Sequence, residues 1–343
     1  MNSKILKKIF SWGIFVGAFV AAALIVTYNS FYGSAIRENK AIYVTDKSEY
    51  SNLATEIKQK LTNPLKVRAF DLYAAHLNLE GRLKVGHYTL KDGMSVISIV
   101  RMLVLGEQTP INLVIGEART LPQLAGKISK QIMADSAAIL GVMRNREVKA
   151  ELGYKHDSLI AMFVPNTYQV YWTVTPEKLL ERMKRESNAF WNEGRKAKLE
   201  AIGMSSYQVM TLASIVYEET KNRGEMPKIA GVYVNRLRKR MPLQACPTVK
   251  YAMGDFSLTR ILHKHLQTVS PFNTYRNAGL PPAPICIPSV AAIDAVLNYE
   301  KSSYLYFCAK PEFDGTHNFA KTLSEHNANS RKYNEALKRL KSK

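Results

Sequence analysis

The N-terminal segment constrains this chain most, because it contains one long stretch without a charged side chain. Residues 9–30 carry no charge and follow three lysines, Lys4, Lys7 and Lys8. A helix of about 20 apolar residues is long enough to cross a bilayer core of about 30 Å. The pattern therefore predicts a transmembrane anchor at 9–30, with residues 1–8 in the cytoplasm and the remainder on the other side. A cleaved signal peptide is the alternative, although the run is long for one and no clean small-residue cleavage site follows.

The charge balance narrows the choice of partner. The chain has 48 Lys and Arg against 28 Asp and Glu, a formal net charge of +20. Such a surface favours a polyanion or an anionic membrane. Since most of the chain is predicted to lie outside the cytoplasm, we exclude nucleic acid and retain the lipid surface and an acidic wall polymer as partners.

Cysteine and histidine spacing gives no sign of a metal site. Cys246, Cys286 and Cys308 allow one disulfide or none, and sequence does not choose between these outcomes. Neither Cys-x-x-Cys nor His-Glu-x-x-His occurs. The sequence therefore indicates no metal and no cofactor.

Periodicity predicts an α+β protein with several parts. Short strands, such as 41–44 and 82–90, alternate with helices in a small module at 40–106. A strand at 111–117 and two amphipathic helices make 107–155 a bridging region, and 156–343 forms the largest part. There we expect one helix over 175–203, a strand at 303–309 and its hairpin or loop partner at 316–320.

Two further signals lie within the largest part. Ser205 and Gln208 form a capping-box pattern at the start of another helix. Residues 242–289 are rich in proline and turn residues and are too long for a simple connection, so we interpret them as a binding loop region.

Adjacent glutamates end an apolar helical stretch, "LASIVYEET", at residues 212–220. With about 100° per residue, Glu219 falls between Ile215 and Val216, whereas Glu218 lies on the polar side of the helix. Apolar neighbours should raise the pKa of the Glu219 carboxyl group and keep it protonated, as a general acid requires. A helix-edge glutamate that reaches water or an arginine fits the same pattern. The helical wheel therefore ranks Glu219 above Glu218 without assigning chemistry to either.

Several blocks of sequence resemble the YceG-like family. These blocks are "LASIVYEET", "AGVYVNRLRKRMPLQACPTVKYAMG", "SPFNTYRNAGLPPAPICIPS", "YLYFCA" and "HNFAKTLSEHN", and "VGHYTLKDGMSVISIVRMLVLGEQ" and "MFVPNTYQVYW" extend the match nearly to the anchor. The resemblance implies a single-pass inner-membrane protein with a periplasmic part. That part would comprise a LysM-like module, at 40–106, and a mixed α/β catalytic domain with a helix-borne glutamate, at 156–343.

The activity implied by the resemblance is endolytic lytic transglycosylation of peptidoglycan. Such an enzyme cleaves the bond between N-acetylmuramic acid and N-acetylglucosamine in nascent strands and leaves a 1,6-anhydromuramic end. The implied partners are glycan strands, membrane lipid through the anchor, and peptidoglycan synthases. A muramidase-type hydrolase and a non-catalytic glycan-binding scaffold for the synthases remain as alternatives.

The family pattern places its catalytic glutamate on Glu219. This chain departs from the pattern at Tyr217, where the family has another glutamate, and at Cys246, where an aspartate is common. Glu218 falls at a lysine position, which suggests a solvated side chain. His317 and His326 are interpreted as loop-ordering groups.

The residues predicted to bind substrate lie on the implied binding loops or on the helix that follows Glu219. Amide and hydroxyl groups suit the substituents of a sugar, tyrosine can stack on a pyranose ring, and arginine can hold a carboxylate. Backbone-fixing hydrogen bonds and a structural salt bridge are the alternatives. The set is Gln244, Asn273, Thr274, Tyr275, Asn235 and Arg236.

Overall fold

A computed structural model describes residues 3–154, 156–258 and 260–341. The predicted cytoplasmic segment 1–8 therefore lies partly outside the described residues. The chain divides into two compact units, one of residues 1–112 with 169–173 and one of residues 113–168 with 174–343. Both helices and strands occur, which confirms the mixed α+β class.

The first helix, α1, spans Ser3–Tyr32 and contains the apolar run. Its segment Lys8–Tyr32 contains an 18-residue window with a mean hydropathy of 2.4, and none of the residues in that window is buried against the described part of the chain. A helix of this length and composition is a candidate single-pass membrane anchor.

Beyond α1, the first unit places a two-stranded antiparallel sheet beside four further helices. Its strands pair with Lys40 opposite Leu90 and Val44 opposite Gly86. Apolar residues from the strands and from the long helices share one core. The elements are β1 (Lys40–Val44), α2 (Tyr50–Lys60), α3 (Pro64–His76), α4 (Leu79–Arg82), β2 (Gly86–Leu90) and α5 (Val96–Leu105).

Helices dominate the second unit. Strands β3 (Ile111–Ile115) and β4 (Asn166–Val170), whose residues are divided between the two units, form one two-stranded sheet. In the second unit, β5 (Tyr306–Ala309) pairs antiparallel with β6 (His317–Ala320). The expected hairpin near the C-terminus is thus confirmed. The helices are α6 (Leu121–Ser129), α7 (Ser136–Arg144), α8 (Arg146–Glu151), α9 (Pro176–Phe190), α10 (Glu193–Ile202), α11 (Ser206–Glu219), α12 (Met226–Arg238), α13 (Cys246–Met253), α14 (Val290–Leu297) and α15 (Leu323–Lys341).

Helix α11 lies at the centre of the second unit. Ser205 and Gln208 form the predicted capping box, in which each side chain accepts a hydrogen bond from the backbone N–H of the other residue. Residues 209–216 are all buried, and α12, α13 and α14 pack around them. The helix that bears both glutamates is therefore rigidly held along its length.

Three expectations about local structure need correction. The single helix expected over 175–203 is two helices, because Trp191 ends α9 and the Asn192 side chain caps α10 by accepting from Arg195 N at 3.0 Å. Strand β4 was not expected. The loop region at 242–289 contains the short helix α13 and a turn of 3-10 helix at His263–Gln267.

Candidate active site

A cavity of about 420 Å³ opens in the second unit beside the end of α11. It is bordered by α11, α12, the start of α13 with the segment before it, the turn at Tyr275, the β5–β6 hairpin and α15. Among its lining residues, Glu219 is the one that carries a carboxyl group. The lining residues are Glu219, Tyr233, Arg236, Leu243, Gln244, Cys246, Tyr275, Phe307, Cys308, Ala309, His317 and His326.

Glu219 is the last residue of α11, and its half-buried side chain borders the cavity. Burial raises the pKa of its carboxyl group to about 7, although a hydrogen bond from Tyr233 and the positive charge of Lys250 oppose the shift. The nearby Glu218 carboxylate adds to it. A carboxyl group with this pKa can both donate and accept a proton near neutral pH.

Tyr233 of α12 holds the Glu219 carboxyl group in place. Its hydroxyl donates a hydrogen bond of 2.9 Å to Oε1, and its side chain is only 1% exposed. The ring meets the edge of Phe307 on β5 at a centroid distance of 5.7 Å. Packing against β5 therefore fixes the direction of the hydroxyl. Tyr233 was not among the residues predicted from the sequence, because its position in the apolar block "AGVYV" gives no local signal of a role at Glu219.

Helix α12 comes close to the backbone that follows α14. A Cβ atom added at Gly231 would lie 2.3 Å from the backbone oxygen of Glu300. Only glycine allows this approach. Since Gly231 is two residues before Tyr233, the approach helps to set the position of the tyrosine.

Glu218 has different surroundings from those expected. Its side chain is 14% exposed, and its Oε2 accepts a hydrogen bond of 2.9 Å from Nη2 of Arg119. The expectation of a solvated side chain was wrong, because Arg119 follows β3 and covers this face of α11. Tyr217, the residue that departs from the family pattern, donates to Oε2 of Glu117 at 3.3 Å. Glu218 therefore belongs to an ion-pair cluster, while Glu219 borders the cavity.

Arg236 presents a buried guanidinium group at the cavity. It is 7% exposed, and its Nε and Nη1 atoms donate to the backbone oxygens of Leu305 and Leu243 at 2.6 and 2.9 Å. Within the described part of the chain, Arg236 makes no ion pair with a carboxylate. Burial lowers its pKa from the ordinary value. The site thus carries a positive charge that an anionic ligand could neutralise.

Gln244 and Tyr275 also border the cavity. The exposed Gln244 has a left-handed backbone with φ of 52°, and its Oε1 accepts from Nη1 of Arg236 at 3.3 Å. The Tyr275 hydroxyl lies 3.3 Å from Sγ of Cys246. Both polar side chains are placed where a sugar could reach them.

The other three residues of the predicted set lie outside the cavity lining. Asn273 is fully buried, and its amide nitrogen donates to the backbone oxygens of Leu266 and Thr268 at 2.9 and 2.8 Å. Thr274 accepts from Ala245 N at 3.0 Å, and Asn235 donates to two backbone oxygens near β5. These geometries fix loops, whereas the prediction that the three residues bind substrate stays a prediction.

Both histidines border the cavity. Nδ1 of His317 lies 2.9 Å from Oε2 of Glu225, and its backbone N–H donates to the other carboxylate oxygen. His326 stacks on Tyr306 at 5.4 Å, and burial lowers the pKa of its ring. The Glu225 contacts fit the interpretation of His317 as a group that orders the hairpin.

All three cysteines are free. Cys246 is exposed at the cavity, Cys286 is buried and Cys308 is half-buried. The choice left open by the sequence is therefore decided in favour of no disulfide.

The fold and the site define a class of protein: an α+β chain with an apolar N-terminal helix and one helix-borne carboxyl group at a cavity. The YceG-like family profile matches residues 42–332. The chain therefore belongs to the YceG-like family.

Known relatives agree with this assignment. An endolytic murein transglycosylase of Bacillus subtilis (strain 168) is 32% identical over 289 residues, which cover 78% of this chain and 77% of the relative. One of Streptococcus pneumoniae serotype 2 is 28% identical over 295 residues, or 76% of this chain and 52% of the relative. The crystal structure of a YceG-like protein from Listeria monocytogenes matches with a TM-score of 0.58 and 32% identity, covering 85% of this chain and 98% of that one.

Proposed function

We propose that this protein is an endolytic peptidoglycan lytic transglycosylase and that Glu219 is its acid and base. The observation that carries the proposal is the position of Glu219 at the cavity with a pKa of about 7. The relatives from Bacillus subtilis and Streptococcus pneumoniae, both named endolytic murein transglycosylase, support the same reaction.

The reaction needs one group that first donates and later accepts a proton. Protonated Glu219 gives its proton to the glycosidic oxygen as the bond from the muramic anomeric carbon to that oxygen breaks. The C6 hydroxyl oxygen of the same muramic residue then bonds to the anomeric carbon, and its proton returns to Glu219. The products are a free N-acetylglucosamine 4-hydroxyl and a 1,6-anhydromuramic end.

One carboxyl group suffices because the acceptor belongs to the substrate. Glycosidases that use water usually need a second carboxylate, either as a nucleophile or as a base. Here ring closure is intramolecular and gains from proximity. The neighbouring Glu218 carboxylate forms an ion pair with Arg119 at 2.9 Å, so it is not needed as the second catalytic carboxylate.

Three cavity residues suit substrate binding. The guanidinium of Arg236 could hold a carboxylate of the lactyl-peptide stem, and Gln244 and Tyr275 could bind N-acetyl or hydroxyl groups. The backbone around the site would be held in place by hydrogen bonds with the side chains of Asn235, Asn273 and Thr274. This division refines the set of six residues proposed from the sequence.

The same proposal places the protein in the inner membrane. Lysines at the start of α1 favour a cytoplasmic N-terminus and a periplasmic catalytic domain. The module at 40–106 would act as a LysM-like glycan-binding unit, and the synthases that extrude new strands would be partners. The catalytic domain would then meet each strand close to the membrane.

Product mass tests the proposal. The purified full chain in nanodiscs is incubated with uncrosslinked glycan strands, and the ends of the products are analysed by mass spectrometry. We expect anhydromuramic ends, which are one water lighter than reducing ends. Reducing ends would instead support a muramidase-type hydrolase, and intact strands would support a scaffold.

A further inference from the structure

We propose that helix α3 lies in the membrane–water interface of a phospholipid bilayer, with Leu65 and Leu72 in contact with lipid. The proposal rests on α1 as the membrane anchor and is independent of the catalytic reaction. It concerns a second membrane contact, in addition to the anchor itself.

The first unit begins directly at the end of the anchor. Helix α1 ends at Tyr32, and Ala35 and Ile36 are already buried in the core of the unit, at 0% and 1% exposure. The N–H of Ala35 donates to the backbone oxygen of Met94 at 2.8 Å. No flexible linker therefore separates the apolar helix from the folded module.

Two contacts fix the height of α3 along α1. Near one end of α3, the Lys66 ammonium donates to the backbone oxygens of Asn29 and Gly33, the latter at 2.7 Å. Two turns later, Tyr73 meets the edge of Phe31 at a centroid distance of 6.4 Å. Lys66 and Tyr73 are about 10 Å apart along a helix that rises about 1.5 Å per residue, yet both contact the last turn of α1. Helix α3 therefore crosses the end of α1 at one level.

That level is where an anchor meets the lipid headgroups. Tyr28 and Tyr32 stack at 4.8 Å on the last turns of α1, and both are exposed. Tyrosine and tryptophan are enriched at this depth in membrane helices because one end of the ring is apolar and the other polar. Lys66 caps the same turn, so the adjacent Leu65 lies close to the tyrosine level as well.

The apolar flank of α3, formed by Leu65 and Leu72, faces away from its neighbour α2. The two leucines are seven residues apart and so lie along one line of the helix. They are 53% and 59% exposed. On the other flank, Asp71 pairs with Lys58 of α2 at 2.6 Å. The module thus packs against one side of α3 and leaves more than half of each leucine side chain exposed on the other side.

The charge of this face suits a lipid surface. Arg68 is exposed and lies within about 60° of both leucines on the helical wheel. Long basic side chains can keep their stems in the apolar layer and reach phosphate groups with their charged ends. Apolar and basic groups on one exposed helix face are typical of interfacial helices.

Spin labels in the full chain test this proposal. Cys246 and Cys308 are first replaced by serine, which leaves the buried Cys286 as the native thiol. Leu65→Cys and Leu72→Cys are labelled in nanodiscs of phosphatidylethanolamine and phosphatidylglycerol. Leu105→Cys is the matched control, because Leu105 is 61% exposed in the same unit. Helix α5 starts just after Met94, which contacts Ala35 at the end of the anchor, and Leu105 is the last residue of α5. Leu105 therefore lies at the end of α5 that is farther from the anchor.

Power saturation compares collisions with oxygen, which prefers the apolar layer, and with a neutral nickel chelate, which prefers water. We expect the oxygen-to-nickel ratio at positions 65 and 72 to exceed that at 105 several-fold. Equal ratios at all three positions would overturn the proposal. Since all three side chains are exposed, the variants should keep their fold, and circular dichroism of each labelled protein checks that they do.

Discussion

The hydroxyl of Tyr233 donates a hydrogen bond of 2.9 Å to Oε1 of Glu219. The two residues lie on consecutive helices, α11 and α12, that pack together in the core of the second unit. This bond favours the ionised carboxylate and so opposes the larger effect of burial. The balance leaves a pKa of about 7, which suits a group that must alternate between acid and base.

Replacing Tyr233 with phenylalanine removes that bond. Burial would then act with less opposition, so we expect the pKa of Glu219 to rise by about one unit. The alkaline limb of the pH profile of kcat/KM should move to higher pH by the same amount. The carboxyl group would also lose its orientation, which should lower kcat about tenfold.

Tyr168→Phe is the matched control for this variant. Tyr168 is 5% exposed, and its hydroxyl donates to the backbone oxygen of Val164 at 2.7 Å. This control should lose some stability and keep the pH profile of the wild type. A Tyr233→Phe profile that coincides with the wild-type profile would show that the bond does not tune Glu219.

Glu219→Gln should stabilise the folded protein at alkaline pH. In the wild type the folded state holds its proton up to pH about 7, whereas the unfolded state releases it near 4.5. The free energy of unfolding therefore falls as pH rises through this window and then levels off. The glutamine variant has no such carboxyl group, so its free energy of unfolding at pH 8 should exceed that of the wild type by about 3 kcal/mol.

Urea unfolding of both proteins at pH 5 and pH 8 measures this difference. Glu193→Gln is the control for the chemical change itself, because the Glu193 side chain is 90% exposed and does not border the cavity at Glu219. If the free energy of unfolding of Glu219→Gln, relative to that of the wild type, falls between pH 5 and pH 8, the assigned direction of the pKa shift is contradicted.

Glu218→Gln should separate stability from catalysis. The change weakens the 2.9 Å pair with Arg119, in which both side chains are mostly buried, and should cost about 2 kcal/mol. Products should retain their anhydro ends, because this carboxylate does not border the cavity. Loss of anhydro products in a folded Glu218→Gln protein would mean that both glutamates take part.

Gly231→Ala tests how closely α12 packs against the backbone after α14. The new methyl group would lie 2.3 Å from the backbone oxygen of Glu300, so the helix must shift, and we expect a loss of about 3 kcal/mol. A Cβ atom added at Gly141 of α7 would meet no other atom within 4 Å. Gly141→Ala should therefore raise the free energy of unfolding by about 0.5–1 kcal/mol. Equal effects of the two changes on thermal unfolding would contradict the close approach.

Local patterns predicted much of the fold. The apolar run of α1, the capping box of α11 and the strands β5 and β6 depend on residues close together in sequence, which is why they could be recognised. The break between α9 and α10 could not, since apolar spacing continues through it and Trp191 ends α9 by packing into the core.

The candidate site shows the same limit. A helical wheel separated the directions of Glu218 and Glu219, because that depends only on helix geometry. It also treated the Glu218 side as solvated, although Arg119, 99 residues away, covers it. The contacts of Tyr233 and Asn273 likewise depend on tertiary packing, which sequence spacing does not reveal.

The most direct test of Glu219 is a mass spectrometric comparison of products from purified glycan strands. Wild type, Glu219→Gln and the matched Glu218→Gln protein are assayed side by side after each has been shown to be folded. We predict anhydromuramic ends from the wild type and from Glu218→Gln, and none from Glu219→Gln. Undiminished anhydro products from folded Glu219→Gln would contradict the role proposed for this residue.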